Sequence, residues 1–236
     1  MDTTPAYLTD TAARSFETTV SRVVDDRVVL AETLFYPEGG GQPADHGTLR
    51  ADDAEWSVTD VQKKDTIYHT LAGDPPEEGT TVTGDLDWER RYAHMRYHTA
   101  QHLLSALLIE AFDAPTTGNQ LYTDYARMDV EHDRFTAADL AHITTRMNEL
   151  IADARPVTWY ELDRETAERE LDPVRTRIDL LPKSIDQLRI VEIEGYDRTA
   201  CAGTHVANTE VIGEFEMQGR ESRGKGFERV RFVLHE

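Results

Sequence analysis

The sequence predicts an α+β protein, with a small N-terminal β-barrel followed by an α+β core that has a central antiparallel sheet and helices. Residues 16–87 hold several short runs of strand-forming residues separated by turns, a spacing typical of a small barrel. From about residue 90 the apolar residues recur at helical spacing, and near the end of the chain they alternate as in a strand. We therefore predict two domains, over residues 1–90 and 91–236.

The predicted barrel begins with a hairpin. Valines on both sides of Asp25 and Asp26 form two apolar runs, and the acidic pair between them suits a turn. Further short strands are predicted near residues 56–61, 66–69 and 81–86. The segment AGDPPEEG, residues 72–79, predicts a loop because glycine and proline interrupt regular structure.

Two helices dominate the predicted second domain. The first spans roughly residues 92–112, where apolar residues recur at the spacing of a buried helical stripe: Ala100, Leu103, Leu104, Leu107, Leu108 and Ala111. The second runs from Thr136, a favoured N-cap residue, to about Ala154, and Pro156 stops it. Its stripe is predicted to consist of Leu140, Ile143, Met147 and Leu150.

The remaining elements are short. A helix is predicted to start at Asp163, and a strand over residues 189–193 is followed by a turn at 195–197. Two more strands are expected over 211–217 and 227–235, the second because Val230, Phe232 and Leu234 alternate.

Two motifs with the spacing X-x-x-X carry chemistry. His98 and His102 lie in HTAQH, and on a helix they share one face, one turn apart. Cys201 and His205 lie in CAGTH, where a glycine permits the loop to turn back on itself. Imidazole and thiolate are zinc ligands, so the two pairs are predicted to form the halves of one zinc site.

Each half of this site has a plainer alternative. The histidines could be buried, hydrogen-bonded core residues, and Cys201, the only cysteine of the chain, could be a small buried hydrophobe. His94 extends the row by one turn, as a third ligand, a substrate contact or a polar neighbour. Thr99 stands where a zinc protease of the H-E-x-x-H type has its glutamate base, which excludes that class.

Composition and charge limit the classes of protein. The chain has 236 residues, no long apolar run and no signal-peptide pattern at its N-terminus, so we expect a cytosolic protein without a membrane partner. It begins with a methionine and has no recognisable nucleotide-binding motif, which favours a freestanding protein over a fragment of a larger enzyme. The net charge is −20, with four lysines against 21 arginines. We expect a halophilic adaptation, the alternative being an ordinary acidic protein.

Two glycine-rich segments are candidate ligand contacts. EGGGQP, residues 38–43, exposes backbone N–H groups beside Gln42, although the residues alone favour a tight turn between strands. This segment lacks the G-x-G-x-x-G spacing of a dinucleotide-binding motif. SRGKG, residues 222–226, places Arg223 and Lys225 on a flexible cationic loop, which predicts either a contact with a phosphate group or a hairpin turn with solvated charges.

A family resemblance joins these segments. FYPEGGGQPADHG, RYHTAQHLLSAL, CAGTHVANTEVIG and ESRGKGFERVRF occur in this order and cover most of the chain. Together they resemble the editing domain of alanyl-tRNA synthetase and, more closely, its freestanding relatives, the AlaX-type alanyl-tRNA editing hydrolases. The N-terminal barrel with its glycine-rich motif is similar to that of the medium-length class.

The resemblance implies a substrate and a set of site residues. Members of this family hydrolyse mischarged tRNA(Ala), chiefly seryl-tRNA(Ala) and in some cases glycyl-tRNA(Ala). Their four zinc ligands carry over onto His98, His102, Cys201 and His205. The family commonly has C-G-G-T-H, and Ala202 replaces the first glycine here, which leaves the ligands in place.

The resemblance also places the glycine-rich loop, with Gly40, Gly41 and Gln42, in the editing pocket. A pocket that hydrogen-bonds the serine hydroxyl rejects alanine, because its polar groups would be left unpaired. Candidates for that contact are Gln42, Thr99, Thr117, Asn119 and Gln120.

The expected reaction is hydrolysis of an aminoacyl ester. Bound Zn²⁺ either activates water at an open position or positions the substrate. Because no glutamate base is evident, we favour a zinc-positioned substrate and water, assisted by a hydroxyl of the terminal ribose. Two rivals remain at this stage: a non-catalytic zinc-stabilised RNA-binding module, and a metallohydrolase of another ester or amide.

Overall fold

The computed structural model describes residues 2–236, which divide into two compact units, residues 1–94 and 95–236. The division falls inside the long helix that carries the histidine motif. No helix among the described residues is long and apolar enough to cross a membrane.

The first unit is built around a closed antiparallel barrel, as predicted. Its strands are β1 (Thr4–Pro5), β2 (Ser15–Val24), β3 (Arg27–Leu30), β4 (Glu32–Thr33), β5 (Gly47–Ala51), β6 (Ala54–Lys63), β7 (Ile67–Leu71) and β8 (Thr81–Leu86). The barrel order is β2-β3-β7-β6-β5-β8, and β8 pairs with β2 to close it. Strands β1 and β4 form a separate parallel pair, and a 3₁₀ helix, Ala6–Leu8, follows β1.

Alternation of side chains explains why these segments close into a barrel. The inward positions of each strand are apolar and buried, among them Val20, Leu30, Leu49, Val58, Val61 and Val82. The hairpin predicted around Asp25 and Asp26 is confirmed, and Asp25 adopts the left-handed conformation that such turns require. Segment 72–79 connects β7 to β8 as an irregular loop, as predicted.

A buried ion pair fixes the segment between β4 and β5. Asp45 accepts a hydrogen bond from the Tyr36 backbone N–H at 2.7 Å and from Arg91 Nε at 2.9 Å. Arg91 is fully buried and also donates to the Leu34 carbonyl. Such a pair costs solvation energy, and these hydrogen bonds offset part of that cost.

The second unit is α+β. Its helices are α1 (Trp88–Phe112, whose first residues belong to the first unit), α2 (Ala137–Ala152) and α3 (Arg164–Glu170), with 3₁₀ helices at Ile178–Leu180 and Thr209–Ile212. The strands β9 (Thr116–Leu121), β10 (Ala126–Glu131), β14 (Glu214–Gly224) and β15 (Phe227–His235) form an antiparallel sheet in the order β14-β15-β10-β9. A second antiparallel sheet has the order β11-β12-β13, from β11 (Val157–Asp163), β12 (Gln187–Ile193) and β13 (Asp197–Ala200).

Helix α1 begins four residues earlier than predicted. Asp87 caps it, since its carboxylate accepts a hydrogen bond from the Arg90 N–H at 3.2 Å. The spacing of apolar residues did not predict this first turn, because the turn consists of charged and aromatic residues. Helix α2 has the predicted start, where Thr136 and Asp139 form a reciprocal capping box, and it ends before Pro156.

Two predictions near the C-terminus need correction. The strand expected over residues 211–217 begins only at Glu214, because the Asn208 side chain caps a 3₁₀ helix that continues to Ile212. The turn at residues 195–197 leads directly into β13, a strand that was not predicted. Strands β9 and β11 were also not predicted, since polar residues interrupt their alternation, and β10 was missed although its apolar and charged residues alternate.

Candidate metal centre

Helix α1 presents the first half of the metal centre. His98 and His102 are one turn apart, and both are buried, with 3% and 5% of their surface exposed. Their ring centroids are 5.2 Å apart. The apolar stripe buries α1 in the second unit, where Tyr97 lies against Phe232 of β15 with 5.9 Å between ring centroids.

The second half is the loop that follows β13. Cys201 is the first residue after the strand, and its backbone N–H still donates to the Arg189 carbonyl of β12 at 3.0 Å. Arg189 Nη1 donates to the carbonyls of Cys201 and Gly203, at 2.7 and 3.0 Å. One guanidinium therefore holds the loop closed, so that the Cys201 thiol and the His205 ring face the same point.

The four side chains converge, as the two motifs predict. One ligand atom from each of His98, His102, Cys201 and His205 lies within 4.8 Å of all the others. Cys201 Sγ is 3.5 Å from His98 Nε2 and 3.4 Å from His205 Nε2. Tetrahedral zinc with bonds of roughly 2.0–2.3 Å would place neighbouring ligand atoms about 3.5 Å apart. The donor set and its spacing therefore fit a Zn²⁺ ion.

The local electrostatics favour the ligand forms of Cys201 and His205. Burial raises the pKa of the Cys201 thiol, but His98, His205 and His102 outweigh burial and lower that pKa well below its usual value. Burial, with the charge of His98, lowers the pKa of His205 well below normal, which favours its neutral imidazole. A thiolate and neutral imidazoles are the forms that bind a metal.

Polar side chains from outside the cluster lie against two of the imidazoles, Asp197 beside His102 and Thr99 beside His205. Asp197 Oδ2 lies 3.4 Å from His102 Nδ1, and Arg175 donates to both Asp197 oxygens at 2.7 Å. Burial lowers the pKa of His102, but the bonds to Asp197 and Cys201 raise it by more. A carboxylate at Nδ1 favours the tautomer with a proton on Nδ1, which leaves Nε2 as the metal-binding nitrogen.

Thr99 supports His205 in the same way. Its hydroxyl lies 3.2 Å from His205 Nδ1, donates to the Met95 carbonyl at 2.9 Å, and accepts from the Val206 N–H at 3.2 Å. The Thr99 hydroxyl therefore already has three hydrogen-bond partners inside the protein. The structure thus gives Thr99 a supporting position beside a ligand, and its predicted contact with the substrate serine stays a prediction.

The other predicted contact residues lie in two regions of the second unit. Asn119 is in β9, where its amide donates to Gln101 Oε1 of α1 at 2.8 Å. Thr117 and Gln120 belong to the same strand. Arg223 lies near the end of β14, and Lys225 lies in the tight turn between β14 and β15. Contact of any of these residues with a substrate remains a prediction.

The glycine-rich segment forms a tight turn in the first unit. The N–H and carbonyl groups of Gly39 and Gln42 pair reciprocally, and Gly40 and Gly41 between them have φ of 58° and 84°. Two successive positive φ values favour glycine, which explains the motif locally. Gln42 is fully buried. A role of this turn in a pocket remains a prediction. His94, also buried, is not a member of the four-residue cluster.

Sequence reasoning missed three residues that shape the centre. Asp197 lies four residues before Cys201, but its position predicted only a turn, and Arg175 and Arg189 are distant from the ligands in the sequence. The pairing of β12 with β13 places Arg189 beside Cys201, and tertiary packing brings Arg175 onto Asp197.

The comparisons with known proteins agree with this architecture. Residues 5–90 match the family model for class II tRNA synthetases (A), and residues 188–231 match that for the second additional domain of threonyl and alanyl tRNA synthetases. The alanyl-tRNA editing protein AlaX-M of Methanosarcina barkeri is 40% identical over 97% of this chain and 97% of its own length. This chain belongs to the family of AlaX-M alanyl-tRNA editing proteins.

Other relatives include both AlaX-M proteins and alanine–tRNA ligases. AlaX-M of Methanosarcina acetivorans is 37% identical over 97% of this chain and 97% of its own length. The alanine–tRNA ligase of Thermococcus kodakarensis is 38% identical over the whole chain, but the chain spans only 26% of that ligase. The resemblance stated from the four sequence motifs, including the medium-length class, is therefore confirmed.

Proposed function

We propose that this protein is a trans-editing hydrolase that deacylates mischarged tRNA(Ala), chiefly Ser-tRNA(Ala), with Zn²⁺ held by His98, His102, Cys201 and His205. As a member of the AlaX-M family it is an aminoacyl-tRNA deacylase, a carboxylic ester hydrolase. One observation supports the zinc proposal most strongly: the two sequence motifs bring their four ligand atoms within 4.8 Å of one another.

The proposed chemistry assigns separate tasks to the metal and to the protein. Zn²⁺, when bound, supplies a Lewis acid that polarises an oxygen or lowers the pKa of water. The chain orients the ligands, through Asp197 on His102 and Thr99 on His205. No carboxylate belongs to the ligand cluster among residues 2–236, which supports the expectation that substrate groups assist the attack of water.

Selection of serine over alanine requires a polar contact to the serine hydroxyl. A site with such a contact rejects the substrate that lacks the hydroxyl, since its polar groups would be left unpaired. Asn119 and Gln42 remain the proposed contacts, and the glycine-rich turn with Gly40 and Gly41 is proposed to line the pocket. Glycyl-tRNA(Ala) is proposed as a second, poorer substrate.

The test is deacylation of Ser-, Gly- and Ala-tRNA(Ala) in high salt. We expect Ser-tRNA(Ala) to be hydrolysed about 100-fold faster than Ala-tRNA(Ala) or more. Equal rates on these two substrates would remove the editing proposal. Binding of tRNA without turnover would instead favour a zinc-stabilised RNA-binding module, and turnover of small esters alone would favour another hydrolase.

A matched pair of histidine variants tests the role of the cluster. His98→Ala should abolish deacylation, because it removes a ligand. His142→Ala changes an exposed histidine of α2 and should leave the rate unchanged. Equal activity of the two variants would contradict the assignment of the site.

Two further properties are proposed from composition. The net charge of −20 and the scarcity of lysine support a halophilic adaptation. A cytoplasmic location is proposed because the proposed tRNA substrate is used in translation there.

A further inference from the structure

The outer face of the β14-β15-β10-β9 sheet carries two adjacent arginines. Residues with inward side chains, such as Met128, Val230 and Phe232, are fully buried. Their neighbours along the strands point to the opposite face, and Arg127 and Arg231 are directly paired there across β10 and β15. Arg229, two residues along, faces Asp129 in the same register.

Two tyrosines at the β9–β10 turn support these arginines. Tyr122 and Tyr125 stack with their ring centroids 4.2 Å apart and their planes 14° apart. The Arg231 guanidinium lies 3.9 Å from the centroid of Tyr125, and that of Arg127 lies 5.9 Å from Tyr122. We call these four residues, Tyr122, Tyr125, Arg127 and Arg231, the arginine–tyrosine surface.

The charges on this surface are not neutralised by ion pairs. Within residues 2–236, neither Arg127 nor Arg231 has a carboxylate within salt-bridge distance, whereas neighbouring Arg229 is paired with Asp129 at 2.6 Å. Arg231 is exposed and Arg127 is half-buried. A guanidinium stacked on a ring keeps its in-plane N–H donors free to point outward, and stacking reduces the entropy lost when a ligand binds.

Two fixed, adjacent guanidinium groups suit a phosphate backbone. Their donors match phosphate oxygens, and a local positive patch attracts a polyanion that the remaining surface repels. We propose that the arginine–tyrosine surface binds the sugar–phosphate backbone of the tRNA substrate, outside the metal centre. The proposal rests on the proposed function, because it takes the editing substrate as its ligand.

The experiment compares the double variant Arg127→Gln/Arg231→Gln with a matched control. The control, Arg146→Gln/Arg169→Gln, removes two positive charges from exposed surface ion pairs of the same unit. Binding of labelled tRNA(Ala) is measured from 0.1 to 1 M KCl. We expect the surface variant to bind about tenfold more weakly at the low end, and its slope of log Kd against log salt to fall by about 2. The control should bind like the wild type.

A conservative variant separates charge from structure. Arg127→Lys/Arg231→Lys keeps both charges and should keep the wild-type salt slope, while affinity falls less than in the glutamine variant. If the lysine variant also had a reduced slope of log Kd against log salt, the arginines would act on the fold of the protein and not through their charge. This result would overturn the proposal. Equal binding of surface and control variants would overturn it as well.

A minimal substrate distinguishes this proposal from the proposed function. A serine ester of a terminal adenosine has no RNA backbone to bind, so the surface variant should hydrolyse it at the wild-type rate while losing activity on Ser-tRNA(Ala). A variant that loses both activities equally contradicts the surface proposal and leaves the editing function intact. A wild-type protein that hydrolyses neither substrate refutes the editing function, and tRNA affinity then decides on the surface alone.

Discussion

At the scale of single residues, the candidate metal centre involves groups outside its four proposed ligands. Asp197 Oδ2 lies 3.4 Å from His102 Nδ1, and Arg175 donates to both Asp197 oxygens. Asp197 has a pKa below the usual range: burial raises it, but Arg175 and His102 lower it by more, so the carboxylate is charged. The orientation of one ligand is thus set by a charged pair behind it.

We predict that Asp197→Asn weakens zinc binding about 10- to 100-fold, because the amide is a poorer acceptor for the His102 Nδ1 proton. Competition with a chelator measures this affinity in protein freed of metal. Asp129→Asn is the matched control, since it also leaves an arginine without its bidentate partner.

The same two variants test whether Asp197 positions His102 or only stabilises the fold. Nitrogen chemical shifts of the His102 ring should show a mixture of tautomers in Asp197→Asn and a single tautomer in the control. Unchanged affinity and an unchanged tautomer would show that Asp197 stabilises the fold and does not position the ligand.

At the scale of structural elements, the barrel contains a histidine that makes its stability depend on pH. His69 of β7 is fully buried, 2.8 Å from the Thr33 hydroxyl through Nε2 and 3.3 Å from the Val28 carbonyl through Nδ1. Burial lowers its pKa to about 4. The neutral ring fits this site, because one nitrogen donates and the other accepts.

We predict that the barrel loses stability in acid through this residue. The unfolded chain binds a proton near pH 6.5 and the folded chain only near pH 4, so the stabilisation is complete above 6.5 and is lost as pH falls towards 4. Between pH 7 and 5 this amounts to about 2 kcal/mol of unfolding free energy.

Denaturant unfolding at both pH values checks this prediction. His69→Gln should show a shallower pH dependence than the wild type, whatever its stability at pH 7. His142→Gln, at an exposed site on α2, should retain the wild-type dependence. If His69→Gln and the wild type lost the same free energy, titration of His69 would not be the cause.

The connection into β14 requires a glycine. Gly213 has φ of 85°, and a Cβ atom there would lie 2.0 Å from the His235 carbonyl oxygen and 2.5 Å from Arg96 Nη2. Arg96 of α1 binds the carbonyls of Ile212 and His235 at 2.8 and 2.9 Å. A side chain at residue 213 would therefore disturb the junction of α1 with β14 and β15.

We predict that Gly213→Ala destabilises the second unit by roughly 2–4 kcal/mol, through backbone strain and the clash together. Gly226→Ala is the control: φ there is 79°, but no atom lies within 4 Å of the added Cβ. It should cost only the strain, about 1–2 kcal/mol. Equal thermal midpoints of the two variants would mean that the clash is relieved at no cost.

The same elements show what could be predicted from the sequence. His98, His102 and the apolar stripe of α1 share one helical period, so local spacing placed both ligands correctly on a buried helix. Strand β13 is only four residues long, and β9 contains mostly polar residues, so neither has a recognisable alternation. Asp197 and Arg175 meet through tertiary packing, which local spacing cannot reveal.

At the scale of the whole molecule, charge governs the expected dependence on salt. The chain carries a net charge of −20 and is proposed to bind a polyanion. In dilute buffer the carboxylates repel each other and the tRNA over a screening length of ~30 Å at 0.01 M, which falls to ~3 Å at 1 M.

We predict that the thermal midpoint and the deacylation rate both rise from low to molar KCl. The arginine–tyrosine surface, a local exception, should lose affinity over the same range, so the gain in rate must come from relief of the general repulsion. Maximal stability and activity at 50 mM salt would contradict a halophilic adaptation.

The central claim is that deacylation depends on one zinc ion in the four-residue cluster. Its most direct test is hydrolysis of Ser-tRNA(Ala) by protein freed of metal and titrated with Zn²⁺ in high salt. The rate should rise from near zero and reach a plateau at about one equivalent per chain. Full activity before any zinc is added would contradict the claim.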